Sequence, residues 1–117
     1  MRRIHLLVAG VVAAVVFAGS AISVTLPRLT GTVGPGATIS LKKAGKKVAT
    51  LKAGRYTFVV SDKASTHNFH LRGPGVNKST SVPRTGNQTW TLTLKKGTYR
   101  FVCDPHASFM KGSFRVT

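Results

Sequence analysis

Apolar and polar residues alternate along most of the chain beyond Gly36. The segments "TISLKK" (38–43), "YTFVV" (56–60), "TWTLTL" (89–94), "YRFVC" (99–103) and "SFRVT" (113–117) all read as strands, and "HNFHL" (67–71) as a short β-rich one. Trp90, Leu92 and Leu94 fall on one face of a strand, as do Tyr99, Phe101 and Cys103 on the next, because strand side chains point alternately to opposite faces. Glycine, proline and lysine punctuate these runs, and no segment after the N-terminal stretch carries a helical period. Short strands at such spacing predict an all-β domain, a sandwich or a barrel. Roughly 80 to 90 residues are enough to bury one modest core of this kind.

The pattern also repeats. "TLKAGRYTFVV" (50–60) and "TLKKGTYRFVC" (93–103) agree at seven of eleven positions. Each reads as a glycine turn leading into a strand whose Tyr, Phe and last residue face one way. That last residue is Val60 in one copy and Cys103 in the other, so an apolar inward position is replaced by a thiol where the chain runs on into Pro105 and His106.

The N-terminus follows a different rule. Arg2 and Arg3 precede an almost wholly apolar run from Ile4 to Phe17, and "AGSA" (18–21) supplies small residues at signal-peptidase spacing. This is the pattern of a secretory signal peptide; a retained anchor helix is the alternative, since the apolar run extends towards Leu26. The expected organisation is a signal segment at 1–21, a linker at 22–30 and one folded domain at 31–117, placed outside the cytoplasm and possibly tethered to the membrane. An exported domain with a single cysteine cannot form an internal disulfide, so the thiol must pair with another chain, stay reactive, lie inert in the core or be protected by a metal.

Charge narrows the partners. The chain has 18 Lys and Arg against 2 acids, a net charge of +16, or +14 without Arg2 and Arg3. The acids are Asp62 and Asp104. Such a field favours an acidic redox protein or an anionic envelope surface, and the lysine pairs beside glycines also suit solubilised strand edges. No nucleic-acid module or aromatic–basic platform accompanies the charge. With no paired carboxylates and hardly an acid to act as a base, the chain is not expected to be an enzyme, and a monomer is expected.

The candidate chemistry is concentrated in "CDPHASFM" (103–110). Once residues 1–21 are set aside, this stretch holds the only Cys, the only Met and one of three His. Cys103, His106 and Met110, spaced C-x2-H-x3-M, put a thiolate, an imidazole and a thioether on one loop. Soft sulfur donors with imidazole select copper, and two His with one Cys and a distant axial Met make a blue-copper site. Zinc would use more Cys or His and has little use for Met. The second imidazole must come from elsewhere, and "STHNFHL" offers His67 and His70. Three residues apart in a strand, these two point to opposite faces, so one site takes only one of them without a bulge.

"THNFHLRGPGV" together with "GTYRFVCDPHASFMKGSF" resembles the plastocyanin-like branch of the cupredoxins, over roughly residues 31–117. The resemblance implies a Greek-key β-sandwich binding one copper ion. It places His67, which Asn68 follows, on the first ligand and Cys103, His106 and Met110 on the others, with Gly112 at the small position after the Met. It implies that the ring edge of His106, the candidate electron port, reaches an apolar surface patch. The Asn68 amide is expected to tie the upstream strand to the Cys103–Asp104 turn and fix the ligand frame, with Asp104 either accepting that bond or standing as a solvated loop acid. The gap of three residues between His106 and Met110 is shorter than in plastocyanin itself, which bears on the axial bond and the potential. The implied function is single-electron transfer. Alternatives are copper delivery, storage or sensing without a redox partner, or a metal-free cationic sandwich that adheres to the envelope.

Overall fold

The computed structural model describes residues 10–15, 19 and 25–117. Most of the expected signal segment, and the question of its cleavage, lies outside them. Among the described residues no helix is long and apolar enough to cross a membrane.

The described residues form ten strands and one short 3-10 turn. The strands are β1 (Arg28–Val33), β2 (Ile39–Lys43), β3 (Lys46–Lys47), β4 (Thr50–Leu51), β5 (Gly54–Asp62), β6 (His70–Gly73), β7 (Val76–Ser79), β8 (Gly86–Leu94), β9 (Gly97–Val102) and β10 (Lys111–Val116). They make two five-stranded sheets, in the orders β3-β2-β1-β5-β8 and β4-β10-β9-β6-β7. Both sheets are mixed, because β1 runs parallel to β5 and β4 parallel to β10 while every other pair is antiparallel. The expected all-β sandwich is the observed architecture. The boundary differs: β1 starts at Arg28 and Leu29 is fully buried, so the end of the expected linker belongs to the folded unit. Leu29, Gly31 and Val33 alternate inward, a period that the surrounding Thr, Gly and Pro obscure.

Alternation explains the core. In β5 the inward set is Tyr56, Phe58, Val60 and Asp62; in β9 it is Tyr99 and Phe101. Phe69, which precedes β6, lies between the sheets, stacked on Phe101 at 5.5 Å and tilted against Trp90 at 6.3 Å. Gly31 makes room for it, since a Cβ there would come 3.0 Å from the Phe69 ring. Gly112 does the same for Phe101, whose ring would lie 2.2 Å from an added Cβ. The small residue expected after Met110 is therefore a packing requirement of the strand that carries the site.

The internal repeat is structural as well. The Tyr56 hydroxyl donates to the carbonyl of Lys52, and the Tyr99 hydroxyl is within 3.0 Å of the carbonyl of Lys95, each four residues upstream. Both glycines that open these strands have positive φ, 155° at Gly54 and 145° at Gly97. Two copies of one corner thus launch two strands in the same direction, one in each sheet. β5 continues past Val60 to Asp62, whereas β9 stops at Val102 and releases Cys103 into a loop.

Phe69 ties both sheets to the segment that carries His67 and Asn68. Phe69→Ala is expected to cost about 3–5 kcal/mol, read from the midpoint of denaturant unfolding at unchanged slope. A loss below about 1 kcal/mol would mean that the ring is not the core element its burial indicates.

Candidate metal centre

Residues 63–69 carry the chain from one sheet to the other. Asp62, buried at the end of β5, accepts a hydrogen bond from the Ala64 N–H at 3.1 Å and starts the turn. The His67 N–H then donates to the Ala64 carbonyl. Thr80 clamps the far side: its hydroxyl accepts from the Phe69 N–H at 2.9 Å, its own N–H donates to the Phe69 carbonyl, and its carbonyl accepts from the Asn68 amide. Gly34, at the end of β1, closes against this turn, for a Cβ there would meet Ala64 at 3.0 Å and the His67 ring at 3.4 Å.

The second segment begins where β9 ends. Cys103 is extended, and a 3-10 turn over Asp104–His106 follows with Pro105 as its second residue; proline suits the first turn because its fixed φ fits and its missing N–H would be unpaired anyway. The Met110 N–H donates to the His106 carbonyl at 2.8 Å, and the Cys103 N–H donates to the Met110 carbonyl at 3.0 Å. The first and last residues of the loop are thus bonded to each other, directly beyond the Val102–Lys111 pair of the β9–β10 ladder. Cys103 and Met110 are both fully buried.

Three donors converge where the two segments meet. Cys103 Sγ lies 3.6 Å from the Nδ1 of His67 and 3.6 Å from that of His106, and the two Nδ1 atoms are 3.1 Å apart. At that separation the two nitrogens share at most one proton. The point in the plane of this triangle equidistant from its corners is about 2.0 Å from each donor. Metal–imidazole bonds are about 2.0–2.1 Å and metal–thiolate bonds about 2.3 Å, so the triangle fits one metal ion with a small outward movement of the sulfur. Among the described residues these are the only three His, Cys, Asp or Glu side chains grouped for a metal.

Asn68 locks the two segments together. Its carbonyl oxygen accepts from the Asp104 N–H at 2.7 Å, and its amide donates to the Asp104 carboxylate at 2.8 Å and to the Thr80 carbonyl at 3.2 Å. Its own N–H points at Cys103 Sγ, 3.4 Å away. The sequence reading foresaw the tie from Asn68 to the Cys103–Asp104 turn but left Asp104 equally open as a solvated acid. Burial alone would push the Asp104 carboxyl up, yet hydrogen bonds from Asn68 and His70 and the charges of His70 and Arg72 together outweigh it and hold its pKa below the ordinary carboxylate value.

His70 stands apart from the cluster. It is buried, its Nδ1 2.9 Å from the Asp104 carboxylate and its Nε2 2.6 Å from the Asn77 side-chain oxygen and 3.1 Å from Arg72 Nε. The groups it packs against were not legible beforehand; the available signal was that Asp104 is one of only two acids in a strongly basic chain. The two "GPG" segments, at 34–36 and 73–75, lie apart. Gly34–Gly36 borders His67, but Pro74 packs on Gly97 at the opposite end of β9.

A two-sheet sandwich with a His–Cys–His triangle between the end of one strand and a crossing segment defines a cupredoxin-like type 1 copper domain. The model of the copper-binding plastocyanin/azurin family matches residues 37–117, and the chain belongs to that family. Its fold is similar to a structure of reduced rusticyanin (TM-score 0.55, 21% identity, covering 77% of this chain and 78% of that one). A second structure of the copper protein rusticyanin matches at TM-score 0.55 and 20% identity, over 77% and 76% of the two chains. A chain of a heme-copper terminal oxidase dimer is similar at TM-score 0.50 and 19% identity, over 77% of this chain and 63% of that one. No curated protein matches the sequence.

Asn68→Ala removes three side-chain hydrogen bonds and strands the buried Thr80 carbonyl. The expected cost is about 1–3 kcal/mol, with faster hydrogen exchange at the Asp104 amide than at the amides of β5. Equal exchange at the Asp104 amide in the variant and the parent would show that the tie does not hold the loop.

Proposed function

We propose that this protein is an exported single-electron carrier in which His67 Nδ1, Cys103 Sγ and His106 Nδ1 would hold one copper ion, with the thioether of Met110 as the fourth donor. The observation that carries this reading is the donor triangle, whose size fits one metal ion and whose composition is soft sulfur with two imidazoles. Bound copper supplies a one-electron cycle between Cu(I) and Cu(II).

The chain's own residues meet the requirements of that cycle. Asn68, Thr80 and Asp104 fix the His67 segment against the Cys103 turn, and the Cys103–Met110 hydrogen bond closes the loop. Ligands held in this way move little when the charge changes. Burial of Cys103 and Met110 excludes water and external thiols from the sulfur side. His106 is half-buried, its ring 5.4 Å from that of Phe109, which is 60% exposed. The edge of an imidazole beside an apolar side chain is a contact through which an electron can pass to a docked partner. A closed, buried donor set also suits electron transfer better than copper delivery, which needs a ligand that opens to a recipient. The apolar run at 4–17, preceded by Arg2 and Arg3, supports export.

Addition of Cu(II) to the purified protein is expected to give an intense blue colour, from thiolate-to-copper charge transfer, at one copper per chain. Cys103→Ser and His67→Ala should abolish it, whereas His70→Ala should leave the spectrum nearly intact while lowering stability. A colourless adduct would remove the blue-copper assignment, and loss of colour in His70→Ala with retention in His67→Ala would exchange the two histidines. Voltammetry separates the carrier from a delivery protein: a fast reversible couple supports the first, and irreversible reduction with release of copper to a chelator supports the second.

A further inference from the structure

The charge is unevenly placed on the fold, and the strand register shows how. β1, β5 and β9 run toward the metal centre, β2 and β8 away from it. The turn after β2, the link before β5 and the turn before β9 therefore all lie at the opposite end. These connections carry Lys46, Lys47, Lys52, Arg55, Lys95 and Lys96, all exposed. Both acidic side chains of the chain, Asp62 and Asp104, sit at the metal end, so no acidic side chain stands among the cations at the far end. In the β2–β3 hairpin Lys42 stands directly opposite Lys47, and Lys43 opposite Lys46. Like charges directly across a ladder destabilise it. Lysines on β3 would protect an edge strand, but that does not account for the Lys95–Lys96 turn.

This placement separates the charge from the electron port. β9 has six residues, so the Lys95–Lys96 turn and Cys103 are about 20 Å apart along the strand. An acidic partner drawn to these lysines would sit at the wrong end to meet His106. The same end is where the N-terminal chain enters: the Thr57 N–H bonds the Pro27 carbonyl, and Pro27 lines one surface cleft together with Lys43, Lys46 and Lys47. The residues before Pro27 contain the apolar run from Ile4 to Phe17.

We propose that this lysine-rich end is a docking surface for an anionic lipid bilayer, which holds the domain with His106 and Phe109 facing away from the membrane. Anionic headgroups attract basic clusters next to a membrane-associated segment. The attraction is screened over about 8–10 Å at ordinary ionic strength, so it acts on the basic end and hardly on the metal end. The proposal does not depend on whether copper is bound.

The test is lysine acetylation followed by mass spectrometry on the full chain, reconstituted in neutral phosphatidylcholine vesicles and in vesicles that also contain phosphatidylglycerol. The N-terminal segment is common to both, so the comparison isolates the headgroup charge. With anionic lipid the acetylation of Lys46, Lys47, Lys95 and Lys96 should slow at least about tenfold, and salt should restore it. Lys63 and Lys111, exposed at the metal end, should react equally in both. Lys95→Glu with Lys96→Glu should restore reactivity at Lys46 and Lys47 with no change in the unfolding midpoint. Equal rates in the two vesicles, or equal slowing at Lys63 and Lys111, would overturn the proposal. Slowing by soluble polyglutamate with none by anionic lipid would assign the surface to an acidic protein instead.

Discussion

The hydrogen bonds between Asn68 and Asp104 hold together two segments that are 36 residues apart in sequence. Each segment alone has only part of the donor set and no reason to keep it aimed at a common point. His67 rides on a turn between sheets, and Cys103 and His106 ride on a loop beyond the last pair of β9. Neither is part of a ladder, so regular secondary structure does not set their separation. The Asn68 amide does so by bonding Asp104 through both its oxygen and its nitrogen, while Thr80 fixes it from behind. A polar network of this kind is worth having only when complete, because an unpaired buried group is costly. Here no buried side-chain nitrogen or oxygen among the described residues lacks a partner.

The aromatic core and this network are continuous. Phe69 follows Asn68 and stacks on Phe101, two residues before Cys103. Packing between the sheets therefore transmits directly to the relative position of the two donor segments. Gly31 and Gly112 have their place in the same arrangement, since each leaves the space that one of these rings occupies. Stiffness of the site comes from the sandwich, and the loop closure between Cys103 and Met110 adds the final constraint.

Duplication explains the position of the thiol. The two Tyr corners launch β5 and β9 from the same end of the molecule, and their eleventh positions, Val60 and Cys103, are both fully buried at the other. The buried environment thus belongs to the scaffold, and the second copy uses it for a sulfur. The lysines beside these corners lie by the same geometry at the opposite end. Metal chemistry and the densest positive charge occupy different poles because both are attached to strand ends, and strands have two ends.

Much of this was legible in local pattern. Period-two alternation specified the strands, since a half-buried strand must send every second side chain inward, and C-x2-H-x3-M on a single loop specified the donor types. The start of β1 was not legible, because Leu29, Gly31 and Val33 alternate within a stretch whose Thr, Gly and Pro read as linker. Nor could spacing alone separate His67 from His70 or tell Asp104 from a solvated loop acid. Those choices depend on which side chains meet across the sandwich: His67 turns toward Cys103, while His70, on β6 opposite Val102, finds Asp104 and Asn77. Sequence by itself determined the strands β2, β5, β8, β9 and β10, the donor types and the excess of charge, all of which follow from residue type and local spacing. The tertiary structure decided which donors converge and at which pole the charge lies, because contacts between residues distant in the chain are set by register and packing.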